Sequence, residues 1–191
     1  MDAKKEFIEI YKENITREGS EQLLEWLTKS DFFTAPASTR FHSSVEGGLA
    51  KHSVLVYKRF VRKLEVEFGE QWEDTFSKES AAICALLHDL CKVDYYKSEM
   101  RNVKVDGEWV QKPYYTVSDS LPYGHGEKSV YIISGFMRLT RDEAMAINWH
   151  MGGFDTRVQG GSYSMGEAFR RHPLAMLFHT ADLETCYLDE V

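Results

Sequence analysis

The sequence predicts a mainly α fold, a helical bundle interrupted by one β-hairpin, on three observations. Apolar residues recur at spacings of three and four through most of the chain. One stretch, Asn102 to Gln111, instead alternates apolar and polar around Asp106-Gly107, a dipeptide favoured in two-residue type I′ turns. The length of 191 residues, 43% of them hydrophobic, suits a single domain over residues 1–191 built on one core.

Taken in order, Ala3 to Asn14 sets Phe7, Ile8, Ile10 and Tyr11 at helical spacing, and Ser20 to Thr28 repeats the pattern with Ser20 as the expected N-cap. These helices belong to an N-terminal segment, residues 1–46, whose end (29–46) combines Ser and Thr with Pro36 and reads as a surface loop. A long helix is expected from Gly48, with Leu49, His52, Leu55, Val56, Phe60 and Leu64 on its apolar side. Ser80 to Lys92 is apolar nearly all round, as a central helix would be, with Cys84 and Cys91 facing the core two turns apart. The hairpin and its aromatic flanks form an insertion over about 95–122. Gly126 to Met137 and Thr140 to His150 return to helical spacing, the latter with Thr140 as N-cap and Asp142-Glu143 in its first turn. Met151 to Gly166 reads as a Gly-rich loop, and Pro173 to Tyr187 as a last helix with proline in its first turn.

Charge and length exclude several classes. Lys+Arg 23 against Asp+Glu 30 leaves a net charge of −7, which disfavours duplex nucleic acid as a partner. The longest uninterrupted apolar run, Ala81 to Leu87, is far short of the roughly 18–20 residues of a membrane span, and the charged start has no apolar signal core. A cytoplasmic protein without a membrane partner is expected, with Cys84, Cys91 and Cys186 as reduced thiols.

Seven histidines are distributed unevenly, several inside apolar segments where an unpaired imidazole costs roughly 1–3 kcal/mol. His88-Asp89, at the end of an apolar run, is the sharpest case, because a buried carboxylate needs a proton, an ion partner or a metal. Its company is Gly47-Gly48-Leu-Ala-Lys-His52, Gly124-His125-Gly126, Asn148-Trp149-His150 and His179-Thr180-Ala181-Asp182. In this order the elements resemble the HD superfamily of metal-dependent phosphohydrolases, over about Gly47 to Leu188. The nearest local likeness is to the HD domains of 3′→5′ exoribonucleases, without the oligonucleotide-binding barrel those enzymes place in front.

The resemblance implies an HD-domain helical bundle with its metal-site core over 47–191 and six metal ligands: His52, His88, Asp89, His125, His150 and Asp182. His52, His88, Asp89 and Asp182 offer two imidazoles and two carboxylates, a mixed set suited to Mn²⁺, Fe²⁺, Co²⁺, Ni²⁺ or Zn²⁺ and poor for Ca²⁺. Asp89, His125 and His150 would complete a second ion, so one or two ions are expected. The chain departs from the dinuclear phosphodiesterases at His150-Met151, where they often carry His-His, and thioether sulphur is a poor ligand for hard ions. Asp89 and Lys92 are the expected catalytic residues. Lys92, three residues on, either directs its ammonium at a substrate phosphate or caps a helix end in solvent.

Other positions keep two readings each. Tyr95, Tyr96, Trp109, Tyr114, Tyr115 and Tyr123 either roof the cleft and stack on a base or pack the strands. Arg157, Arg170 and Arg171 either balance phosphate at the rim or are exposed charge. His42 is either a solvated loop residue or one that reaches the rim, His172 a surface residue, and His179 either orients Asp182 or is satisfied by backbone. The function expected is hydrolysis of a nucleotide or short-oligonucleotide phosphoester by metal-activated water, on a small phosphorylated substrate. The alternatives are an HD-type diiron oxygenase of a small alcohol or phosphonate, and a regulatory nucleotide-binding module.

Overall fold

The computed structural model describes residues 2–40 and 43–190; His42 lies outside them. Helix α1 (Ala3–Asn14) is capped by Asp2, which accepts the Lys4 N–H at 3.0 Å, and it buries Phe7 and Tyr11. Helix α2 (Ser20–Lys29) is entered from Gly19, so the expected N-cap, Ser20, is its first helical residue. The reason is tertiary: Gly19 has φ 89°, and a Cβ there would stand 1.8 Å from the Phe136 carbonyl oxygen.

Helix α3 (Gly48–Phe68) buries Leu49, His52, Val56, Phe60 and Leu64 along one side. Helix α4 (Lys78–Leu87) does not run on to Lys92 as the apolar run suggests; a 3₁₀ turn, Leu90–Lys92, follows His88-Asp89. His88 Nδ1 donates to the Ala85 carbonyl at 3.0 Å, the oxygen to which a continuing helix would give the Asp89 N–H. Cys84 and Cys91 therefore belong to different elements, although both are buried.

Strands β1 (Tyr96–Val105) and β2 (Glu108–Val117) pair antiparallel from Val105↔Glu108 back to Tyr96↔Val117. Asp106 (φ 50°) and Gly107 (φ 92°) make the two-residue turn expected of them. The hairpin starts earlier than the alternation indicates, because most of β1 is exposed and has no buried side to impose a pattern.

Helix α5 (His125–Ser134) starts at the histidine itself and stops three residues before the expected Met137, at Gly135. Helix α6 (Arg141–Asn148) carries a capping box of Thr140 and Glu143. The segment read as a Gly-rich loop is partly helical: a 3₁₀ turn at Gly152–Phe154, α7 (Thr156–Gln159) capped by Asp155, and the start of α8 (Ser164–Arg171). Helix α9 (Pro173–Glu184) ends earlier than the spacing suggests and widens into a π turn, Thr185–Asp189.

Helix α3 packs against α1, α4 and α9, and α6 packs against α5 and α9. The core includes Phe7, Leu27, Phe32, Phe60, Leu87 and Phe178. Arg17 ties the N-terminal helices to this assembly, reaching Glu143 at 2.6 Å and Glu79 at 3.1 Å. Among the described residues no helix is long and apolar enough to cross a membrane.

Candidate metal centre

Five helices deliver histidine or aspartate to one buried point. His52 comes from the second turn of α3, His88 and Asp89 from the broken end of α4, His150 from just beyond α6, and Asp182 from α9. His125 enters from the first residue of α5.

Among the described residues the donor atoms form overlapping groups: two share Asp89, and others join His88 with His150 and Asp182, and His52 with Asp182 and Cys186. His52 Nε2 lies 3.2 Å from His88 Nε2, 3.2 Å from Asp182 Oδ1 and 3.7 Å from Asp89 Oδ2; His88 Nε2 lies 3.4 Å from Asp89 Oδ2 and 3.8 Å from Asp182 Oδ1. An ion bonded at about 2.1 Å holds adjacent ligands about 3.0 Å apart in an octahedron and about 3.4 Å apart in a tetrahedron. The observed spacings lie at and just above that range. The other oxygen, Asp89 Oδ1, faces His125 Nε2 at 2.9 Å and His150 Nε2 at 3.5 Å. Asp89 thus stands between two groups of histidines, in a cluster that could hold a metal ion.

The ring protons point to the same conclusion. His52 Nδ1 faces the Glu190 carboxylate at 2.9 Å, His88 Nδ1 the Ala85 carbonyl, and His150 Nδ1 the Ile147 carbonyl at 2.7 Å. All three partners are acceptors only, so each Nδ1 carries hydrogen and each Nε2 is left facing inward, where either a proton or a metal ion can occupy it. Two such nitrogens 3.2 Å apart repel unless a proton or a cation lies between them. His150 Nε2 is, among the described residues, a buried nitrogen with no hydrogen-bond partner. A cation with open coordination satisfies both features, and the nitrogen–carboxylate donor set fits a divalent transition metal.

Protonation of the metal-free cluster follows its charges. Burial pulls the His52 pKa down, but hydrogen bonds to Asp182 and Glu190 outweigh it and raise the value to about 9. Burial pushes Asp182 up, and the His52 hydrogen bond and the neighbouring His88 overcome that and hold it well below the usual carboxylate range. Asp89 is likewise held low against burial, by Lys92 and His88. His88 and His125 are pulled down, mainly by desolvation. The C-terminal ends of α4 and α6 also meet here, and their partial negative charge favours a cation.

Lys92 does not cap a helix end in solvent. It is buried at the cleft and donates to Asp89 Oδ2 at 2.7 Å, balancing that carboxylate. His179 does not orient Asp182: its Nδ1 donates to the His150 carbonyl at 2.6 Å, the backbone alternative. Gly152 packs so tightly on that ring that a Cβ would stand 2.1 Å from it. Arg157 is not a free rim charge, because Asp155 and Glu127 each bind it at 2.7 Å and it lies over the Trp149 ring. Arg170 and Arg171 are exposed and pair with Glu167, while His172 is half-buried against Asp142.

Above the donors lies a cleft of about 480 Å³, walled by Tyr95, Tyr96, Val117, Phe154, Leu183 and Tyr187. A second space of about 320 Å³ continues past His125 towards Tyr123, Asp119 and Lys128. Of the six aromatic residues named from the sequence, Tyr95, Tyr96 and Tyr123 line these spaces. Trp109 is exposed near the hairpin tip, and Tyr114 pairs with Arg40 and Arg101. Sequence reading missed Glu190 and the wall residues Leu183 and Tyr187; Leu183 lies on α9, and the π turn that follows decides where Tyr187 and Glu190 fall.

Comparison of the chain with protein-family models, with curated proteins and with solved structures finds no match in any of the three.

Proposed function

We propose that this chain is a metal-dependent phosphohydrolase acting on a nucleotide or short-oligonucleotide phosphoester, as its resemblance to the HD superfamily implies. The observation that carries the reading is Asp89, whose two oxygens face separate sets of histidines at the floor of an aromatic-walled cleft. His52, His88, Asp89 and Asp182 would hold one ion, and Asp89, His125 and His150 a second. Divalent ions held there supply Lewis-acid charge to a phosphoryl oxygen and activate water for attack on phosphorus.

The chain's own residues supply positioning. Tyr95, Tyr96, Phe154 and Tyr187 offer flat apolar surface on which a base can stack. The lysines of the two spaces are engaged, Lys92 with Asp89 and Lys128 with Asp119 at 2.6 Å. A single phosphoryl group suits this cleft better than a polyphosphate, whose added charge needs free cations.

The test is an anaerobic screen of Mn²⁺-loaded protein against nucleoside monophosphates, cyclic and short linear phosphodiesters, and nucleoside triphosphates. Turnover of mono- or diesters, lost in Asp89→Asn, is the expected result. The absence of His-His at 150–151 keeps the diiron oxygenase as the second reading. No turnover in this screen, with O₂ consumption by aerobic iron-loaded protein on a small alcohol or phosphonate, replaces the first reading by the second.

A further inference from the structure

We infer that Glu190 is a positioning residue for the metal centre, fixing the ring of His52 so that Nε2 is held ready for a cation; this rests on the metal reading above. His88 and His150 sit at helix ends, where backbone carbonyls left without helical partners accept their Nδ1 hydrogens. His52 is placed differently, within the second turn of α3, where the Leu49 carbonyl one turn back already accepts from Ser53 Oγ at 3.0 Å. Its Nδ1 meets a side-chain acceptor, Glu190 at 2.9 Å, with both side chains 1% exposed.

The chain spends several interactions on placing this carboxylate. After Asp182 the helix widens into the π turn, which carries the backbone across to α3. Arg59 grips Asp189, with Nε at 2.9 Å from Oδ2, and Lys63 holds Glu184 at 2.5 Å, so the turn is pinned to α3 on either side. Ser43 donates its hydroxyl to the other Glu190 oxygen. A buried carboxylate held by a hydroxyl and an imidazole, beside inward-facing metal donors, matches the carboxylate–histidine–metal arrangement that orients ligands and raises their basicity.

The experiment compares wild type, Glu190→Ala and Glu190→Gln, each loaded with Zn²⁺ or Mn²⁺. Affinity is measured by chelator competition, and the ring tautomer of His52 by ¹⁵N–¹H correlation of histidine-labelled, Zn²⁺-loaded protein. Glu190→Ala should weaken binding about 10–100-fold and lose the single Nδ1–H form of His52. Glu190→Gln, whose amide oxygen still accepts, should keep that form and most of the affinity. Wild-type binding that Glu190→Ala leaves unchanged, with the same tautomer, overturns the role of Glu190 alone. A wild-type protein that takes up neither ion overturns the metal reading, and this role with it. Circular dichroism of each variant separates these outcomes from loss of fold, and Glu190→Met, which removes the acceptor but keeps the volume and should show the same loss, carries the test if the alanine variant does not fold.

Discussion

Metal binding should raise the thermal stability of this protein by an amount that can be worked out beforehand. The donors of the first set already stand 3.2–3.8 Å apart, so the folded state presents a preformed site that the unfolded chain lacks. A ligand that binds only the folded state at 100 times its Kd adds about 2.7 kcal/mol. In a domain of this size each kcal/mol moves Tm by about 2–4 °C, which gives a rise of roughly 5–11 °C. Asp182→Asn removes one carboxylate without changing side-chain volume. If that weakens binding 100-fold, the same metal concentration equals the variant's Kd and contributes only about 0.4 kcal/mol, a shift of roughly 1–2 °C. Differential scanning calorimetry of both proteins, metal-free and with Mn²⁺, Fe²⁺, Co²⁺, Ni²⁺ or Zn²⁺, provides the measurement. No rise with any of these ions, or an equal rise in wild type and Asp182→Asn, would refute the assignment of this cluster as a metal site.

Four further outcomes are expected. His150→Ala should lower metal content from two ions to one per chain by elemental analysis while the first ion stays; loss of both ions, or of neither, contradicts the split at Asp89. Lys92→Met leaves Asp89 without its buried cation and should cost the metal-free protein roughly 3–5 kcal/mol in urea unfolding, most of it recovered at saturating Mn²⁺; an equal loss with and without metal counts against an ion at Asp89. Burial pushes the Glu143 carboxyl up, but hydrogen bonds from Arg17, Ser80 and the Thr140 N–H outweigh it and hold the pKa below its ordinary value. Its contribution to stability is therefore complete above about pH 4.3 and lost as pH falls through the folded-state value, so Glu143→Gln should flatten the acid limb of stability against pH; an unchanged limb refutes this. Trimming the hairpin to its first pairs beyond Tyr96↔Val117 should raise KM or change substrate choice while metal content is unchanged, since it holds none of the donor atoms.

The sequence by itself determined the helical periodicity, the Asp106-Gly107 hairpin turn and the Thr140 cap, because each is written in local spacing, while the histidines and aspartates that meet at the site were named through the resemblance to the HD superfamily. Tertiary structure alone decided where helices stop. An apolar run has no mark for its end, and α4 stops where His88 turns back to the Ala85 carbonyl. Lys92 meets Asp89 at an i,i+3 spacing that the sequence offered, but its burial there depends on α5, which packs on the turn that carries it. Glu190 was illegible for a related reason. Its partner lies 138 positions away, and only the π turn, pinned to α3 by Arg59 and Lys63, brings a near-terminal glutamate to the back of a buried imidazole.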